Sequence, residues 1–169
     1  MRSEVDFDVR AFQMKCLEIM DTFDAVCRAN GLRYYMACGT MLGAVRHKGF
    51  IPWDDDVDVY MPRPDYDRLV KNARKWLPAP LKMVECESDI TFPHYYGKIE
   101  DESTTMIERV YLGHFGGVWI DIFPVDGVTD CKLLRKLHVR RFKFWRNMLY
   151  YVYRDPWKHG RTPGGYMVK

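Results

Sequence analysis

Apolar residues recur at helical spacing in four parts of the chain. Between residues 9 and 29 they follow one another every three or four positions, as on one face of a helix. The Asn-Gly pair that follows tolerates the left-handed conformation in which helices often end. The same spacing predicts a short helix at 41–47, a helix at 65–76 and a basic, aromatic helix from 131 to about 153.

Aromatic and β-branched residues, in several places alternating with polar ones, predict strands between these helices. Gly and Pro punctuate the segments that connect them. The order of elements predicts an α+β fold, with a mixed β-sheet flanked by helices and a basic helix at the C-terminal side. The predicted strands are 32–38, 56–61, 81–87, 95–101, 104–110 and 117–125.

The composition is typical of a folded domain. Of 169 residues, 47% are hydrophobic and 15% are aromatic, which is enough for a substantial core. No apolar run approaches the roughly 20 residues of a membrane-spanning helix, and the mixed, acidic start is unlike a secretory signal. We therefore expect a soluble, cytoplasmic protein. Its five cysteines and five histidines are scattered without metal-ligand spacing, which argues against a zinc site.

The net charge of +3 hides an asymmetry along the chain. Residues 132–169 contain eleven Lys and Arg against one acid, whereas residues 1–131 contain 15 against 22. We expect a core formed by 1–130, followed by a basic helix and tail at 131–169. The basic helix could contact anionic lipid, bind nucleic acid, or cover the core with one face while its cations extend into water.

The stretch "IPWDDDVDVYM" places four carboxylates within five positions. In an extended strand Asp54, Asp56 and Asp58 project from one side and Asp55 from the other, with neighbours on one face roughly 6–7 Å apart. Such carboxylates can share divalent cations, and oxygen ligands without nearby His or Cys favour Mg²⁺ or Mn²⁺. The alternative is a solvated acidic turn, against which the alternating valines argue.

Two further features suit the same chemistry. Asp121 interrupts an apolar run, and a buried carboxylate needs either a metal or a partner such as Arg46 or Arg109. Gly39 and Thr40 follow a predicted strand and open a helix, where N–H groups and a hydroxyl can bind phosphate, although Thr40 could equally be a helix cap. A phosphate cradle beside a metal site indicates phosphoryl transfer.

The block "YYMACGTMLGAVRHKGFIPWDDDVDVYMPRPDYDRL" and the later "GGVWIDIFPVDG" resemble the LicD family, which includes phosphocholine transferases and fukutin-related proteins. The resemblance covers residues 34–127 and implies a polymerase-β-like nucleotidyltransferase fold. The site residues that it implies are Gly39 and Thr40 as the phosphate cradle, Asp56 and Asp58 as metal ligands, Asp121 as the third acid and Asp54 as a supporting acid.

The resemblance also implies a reaction. Family members transfer a phospho-alcohol from a CDP-alcohol, commonly phosphocholine from CDP-choline. The acceptor is a hydroxyl of a glycan such as a teichoic acid or lipopolysaccharide precursor. CMP is released, because the distal phosphorus is attacked. A lipid-linked acceptor would bring the enzyme to the inner face of the membrane. Family members are usually longer, so this chain is either truncated or a short member.

Several residues outside the acidic cluster are candidates for contact with the donor. Arg46, in the motif helix, and Lys98, on a later strand, could bind its phosphates. Trp53, Trp119 and Tyr95 could offer aromatic faces to choline or to the nucleotide, and packing in the core is the alternative for each.

Two other functional classes stay open at this point. One is a nucleotidyltransferase that moves a nucleoside monophosphate from a nucleoside triphosphate to a tRNA or a small molecule. The other is a non-catalytic module that binds glycan or lipid. We expect no binding to DNA.

Overall fold

A computed structural model describes residues 8–87, 92, 94–106 and 115–153, with side chains described as far as residue 148. Four helices and five strands lie within these ranges. In chain order they are α1 Val9–Asn30, β1 Tyr35–Met36, α2 Cys38–Arg46, β2 Asp58–Pro62, α3 Arg63–Trp76, β3 Leu81–Val84, β4 Gly97–Met106, β5 Gly116–Val125 and α4 Lys132–Tyr153.

The five strands form one sheet in the order β1-β2-β5-β4-β3. β2 and β5 run parallel, whereas the other three pairs are antiparallel. The predicted α+β class with a mixed sheet flanked by helices is confirmed. The two strands at the centre of the site, β2 and β5, are far apart in the chain and become neighbours only through this strand order.

The core lies between the sheet and α1. Phe12, Cys16, Ile19 and Phe23 lie on one face of α1 and are buried, as the periodicity predicted. They join the buried residues of the two parallel strands in one apolar cluster, which supplies the main favourable term in folding. The Asp8 carboxylate accepts a hydrogen bond from the Ala11 N–H and caps the start of this helix.

The region around the acidic stretch differs from the predicted elements. Only Tyr35–Met36 of the predicted strand 32–38 pairs with another strand. β2 begins at Asp58, so the prediction that 56–57 belong to an extended strand is wrong, and Asp54 to Val57 form a connecting segment. α2 begins at Cys38, with Ala37 at the cap position. Thr40 therefore lies inside the helix and is not its cap.

Other boundaries shift by smaller amounts. α3 begins two residues before the predicted 65, because Pro64 can occupy the first turn without losing a hydrogen bond. The predicted strands 95–101 and 104–110 are one strand, β4, through Met106, and 107–110 lie outside the described residues. The predicted basic helix is confirmed as α4, whereas the irregular tail predicted after it falls on residues that are not described.

Among the helices described, none is long and apolar enough to cross a membrane.

Candidate active site

Asp58 and Asp121 face each other across the two parallel strands. Asp58 is the first residue of β2, and it pairs with Asp121 of β5 in the strand register. Adjacent strands lie about 4.8 Å apart and paired residues point to the same face of the sheet. Both residues are 8% exposed. The fold thus places two buried carboxylates beside each other, which is costly unless positive charge is close by.

Asp54 and Asp56 extend this cluster from the segment before β2. Burial comes first among the causes that raise the pKa of Asp56 to about 6, followed by the negative charges of the neighbouring aspartates. The protonated carboxyl of Asp56 can donate a hydrogen bond to Asp54, whose own pKa is also raised by burial. Asp55, by contrast, is exposed. Three of the four clustered acids therefore remain close to one another, although their segment is not a strand.

Lys98 supplies a positive charge beside Asp121. Its ammonium lies 3.5 Å from the Asp121 carboxylate and 3.8 Å from the centre of the Trp119 ring. Lys98 stands on β4 directly beside Asp121 in the register and is 2% exposed. The ion pair considered for Asp121 thus forms with this lysine. Arg46 is exposed at the end of α2, and Arg109 lies outside the described residues.

Gly39 and Thr40 lie beside the acids in the first turn of α2. A methyl group in place of the Gly39 hydrogen would collide with the Asp54 carboxylate, which would have to move away from the start of α2. The Thr40 hydroxyl accepts a hydrogen bond of 2.8 Å from the Asp58 N–H. Thr40 therefore holds the first residue of β2 against the start of α2. The structure thus places Gly39 and Thr40, which the sequence predicts as a phosphate cradle, next to the acidic cluster.

The three candidate aromatic residues have different surroundings. Trp53 is 76% exposed and touches His47 edge-on, with ring centres 6.4 Å apart. Tyr95 is 41% exposed and contacts Phe142 of α4. Trp119 is partly buried, with Lys98 over one face of its ring. Trp53 and Tyr95 can therefore meet a ligand directly, whereas Trp119 also has a structural role in holding the buried lysine.

The model of the family described as LicD/FKTN/FKRP, nucleotidyltransferase domain, matches residues 31–157. This chain belongs to the LicD family. The resemblance inferred from the motifs is thereby confirmed, and the matched range contains every acid of the cluster.

Individual relatives differ in how much of the chain they cover. The lipopolysaccharide cholinephosphotransferase LicD of Haemophilus influenzae is 39% identical over 126 residues, which are 72% of this chain and 46% of that protein. The ribitol 5-phosphate transferase FKRP of Homo sapiens is 53% identical over 34 residues, or 20% of this chain and 7% of that protein. The uncharacterized protein RP689 of Rickettsia prowazekii is 49% identical over 39 residues. This chain spans less than half the length of these relatives.

Gln13 is a site residue of this LicD family member that the sequence did not reveal. It is buried on α1, and its amide donates hydrogen bonds to the carbonyl oxygens of Ile51 and Asp54, at 3.1 and 2.8 Å. These bonds fix the backbone that carries the acids. The sequence did contain a signal, since Gln13 is a polar residue within the otherwise apolar face of α1. A buried amide needs hydrogen-bond partners, so this position could have indicated a contact with another segment.

A cleft of about 580 Å³ opens beside the acidic cluster. Its walls come from α1, β1, α2 and the segment around Phe50, and Thr40 and Asp54 belong both to the cleft and to the cluster. Met14 and Leu17 line it from α1. Both residues are apolar but lie outside the buried face of that helix. Their position away from the apolar period of α1 is the signal in the sequence that could have indicated an apolar surface here.

The donor atoms of the cluster suit a hard divalent cation, because carboxylate oxygens are the ligands that Mg²⁺ and Mn²⁺ prefer. Burial, and after it the negative charges of the neighbouring aspartates, raises the pKa of Asp56, and a bound cation would offset both effects. As the side chains stand, however, no three His, Cys, Asp or Glu within the described ranges form a group that could hold a metal ion. A metal site here would be built on Asp58 and Asp121, which are adjacent in the sheet.

Proposed function

We propose that this chain is the catalytic part of a transferase that moves a phospho-alcohol, such as phosphocholine, from a CDP-alcohol to a glycan hydroxyl. The observation that carries this proposal is the pairing of Asp58 with Asp121 beside Gly39 and Thr40, within a LicD family domain. Two relatives whose printed names state an activity, a cholinephosphotransferase and a ribitol 5-phosphate transferase, support this class of reaction. We assign the domain a polymerase-β-like nucleotidyltransferase fold on the same grounds.

In the proposed reaction the oxygen of an acceptor hydroxyl attacks the phosphorus distal to cytidine. A new P–O bond forms to the acceptor, the P–O bond to CMP breaks, and the hydroxyl proton passes to a base. The start of α2, with Gly39 and Thr40, binds phosphate oxygens through its N–H groups and hydroxyl. Arg46 and Lys98 contribute positive charge to the donor site, and the neighbouring cleft accommodates further parts of the substrates.

Asp56, Asp58 and Asp121 would hold Mg²⁺ or Mn²⁺, with Asp54 in support. A bound cation supplies neutralisation of the charge on the donor pyrophosphate. Asp121 either completes this set of ligands or accepts the proton of the acceptor hydroxyl. The pairing with Lys98 keeps a positive charge beside Asp121 in either role.

A donor screen tests the proposal. The protein is incubated with Mg²⁺, a glycan acceptor and CDP-choline, CDP-ribitol, CDP-glycerol or a nucleoside triphosphate, and CMP and pyrophosphate are measured separately. CMP released from a CDP-alcohol supports the proposal. Pyrophosphate released from a nucleoside triphosphate would instead assign nucleotidyl transfer, the second function, which the family's nucleotidyltransferase domain favours.

Matched variants connect the activity to the site. Asp58→Asn should reduce turnover at least a hundredfold, because it removes one carboxylate of the adjacent pair. Asp55→Asn removes the same charge from an exposed position and should leave most of the turnover. Equal turnover in both variants, with folding intact, would contradict the assignment of Asp58 to the reaction. Absence of turnover with every donor, together with equal glycan or lipid binding by both variants, would support the non-catalytic binding module instead.

A further inference from the structure

The exposed face of α4 is the largest set of side chains that the proposed reaction does not use. Apart from Phe142, which contacts Tyr95, six large apolar residues of this helix are between 41% and 67% exposed. Through residue 148, every side chain of α4 is exposed except that of Arg146, which is partly buried. Of the three roles considered for this helix, covering the core therefore does not apply to its described side chains. The six residues are Leu133, Leu134, Leu137, Phe144, Trp145 and Met148.

Helical geometry gathers these residues on one side. At about 100° per residue, the six fall within an arc of about 120°. Six of the seven Lys and Arg residues of α4 fall within an opposite arc of about 140°. Arg141 lies within the apolar arc, where its long side chain can carry the charge to the edge. α4 contains no Asp or Glu, so it is amphipathic with an entirely cationic polar face.

The described contacts of α4 with the rest of the protein lie beside the apolar arc. Phe142 meets Tyr95 edge-on, with ring centres 5.8 Å apart. His138 is close enough to Asp126 for its positive charge to help lower the pKa of that carboxyl, although the main cause is the hydrogen bond from Arg63. These two positions fall on the flank between the two arcs, and Arg146 lies within the cationic arc close to that flank. Within the part of the chain that the structure describes, the body of the protein thus leaves the apolar arc open.

We propose that α4 lies in the surface of a membrane rich in anionic lipid. The apolar arc would enter the boundary between headgroups and acyl chains, and the cationic arc would interact with the headgroups. Charge favours an anionic membrane over a second copy of this chain. A dimer formed through this face would place Arg141 in an apolar interface and would gain nothing from the other cations. Nucleic acid would neutralise the cations but leave Trp145 and its neighbours in water. This inference goes beyond the proposed reaction and does not depend on it.

Vesicle binding by the full chain tests the proposal. Co-sedimentation compares vesicles of pure phosphatidylcholine with vesicles that contain about 30% phosphatidylglycerol. We expect binding to the anionic vesicles at least tenfold tighter than to the neutral ones, with a blue shift of tryptophan fluorescence. Absence of binding to the anionic vesicles would overturn the proposal.

Two variants on the same helix separate insertion from simple charge attraction. Leu137→Glu and Val139→Glu each replace an exposed apolar residue by an acid, so they change the net charge equally. Leu137 lies in the apolar arc, whereas Val139 lies on the cationic side. We expect Leu137→Glu to weaken vesicle binding at least tenfold and Val139→Glu by less than threefold, with unchanged helix content by circular dichroism.

Other results would assign the face differently. Equal weakening by both variants would show attraction by charge alone. Dimers in light scattering that only Leu137→Glu dissociates would assign the face to a second copy. Binding of a short RNA that Leu137→Glu leaves unchanged, without vesicle binding, would assign the cations to nucleic acid. CMP release from a soluble donor should be unaffected by Leu137→Glu, so failure here is distinguishable from failure of the proposed reaction.

Discussion

At the scale of single residues, the site combines carboxylates whose negative charges repel one another with polar side chains that hold these acids in place. Asp58 and Asp121 lie side by side, and Asp56 adds a third acid whose pKa reaches about 6. Gln13 and Thr40 bind the backbone of the acidic segment and of the first residue of β2. The acids are thus kept together at a cost in stability, which is typical of sites that bind a cation or carry out catalysis.

Substitution of Asp56 should make this cost measurable. Its pKa is higher in the folded protein than its ordinary value of 3.8, so its contribution to stability is fully present below about pH 4 and is lost as pH rises through about 6. Asp56→Asn should therefore stabilise the metal-free protein at pH 7.5 by about 1–2 kcal/mol, after allowance for partial exposure, and have little effect at pH 4. Urea unfolding in EDTA at both pH values measures this.

Asp55→Asn is the matched control, because this exposed neighbour loses the same charge. It should change stability by less than about 0.5 kcal/mol at either pH. If both variants behave alike, the acids do not repel one another in the folded protein. Added Mg²⁺ should stabilise the unmodified protein more than Asp56→Asn.

At the scale of elements, buried polar contacts join helix and sheet beneath the site. The Asp101 carboxylate of β4 is 2% exposed and accepts hydrogen bonds from Lys15 of α1 and from the Ser103 N–H, each 2.8 Å long. These contacts tie α1, which carries Gln13, to the strand that carries Lys98. The orientation of α1 is therefore fixed by a polar contact in addition to its apolar face.

Asp101→Asn should break this connection. Burial raises the pKa of Asp101, but the hydrogen bonds from Lys15 and Ser103 outweigh it, so the net pKa lies below the ordinary 3.8. Its contribution is thus present above about pH 4 and is lost as pH falls through the folded value. At pH 7 the variant should lose about 1–3 kcal/mol in urea unfolding, since a buried ion pair is broken. Glu102→Gln, next in sequence and exposed, should lose less than about 0.5 kcal/mol.

At the scale of the whole molecule, the chain consists of a sheet with its helices and an outlying basic helix. Residues of α1, α3 and the strands form one apolar cluster. In the part of the chain that the structure describes, no residue of α4 belongs to that cluster. The expected division into a core at 1–130 and a basic segment at 131–169 remains a prediction, and this distribution of buried residues supports it.

A shortened chain of residues 1–130 tests the division. We expect it to fold with a melting temperature within about 4 °C of that of the full chain, because removal of α4 and the tail takes away little buried apolar area. Circular dichroism and thermal denaturation measure this. Aggregation of the shortened chain, or a non-cooperative transition, would show that α4 is part of the core.

Much of this architecture could be read from local pattern. The apolar period of α1, the apolar and β-branched run of β5 and the cationic composition of α4 each depend on residues close together in the chain, so their prediction succeeded. The start of α2 and of β2 was misplaced, because Thr40 interacts with Asp58 rather than with its own helix. That hydrogen bond joins two elements, and no local propensity encodes it.

The sequence by itself determined the LicD family motif, and it predicted the acids and the glycine-threonine pair of the candidate site. Only the tertiary structure decided that Asp58 and Asp121 are neighbours, that Lys98 forms an ion pair with Asp121, and that the described side chains in the apolar arc of α4 are exposed. The physical reason is that strand order and register bring together residues far apart in the chain. A side chain's charge partner and its burial, and with them its pKa, follow from that arrangement.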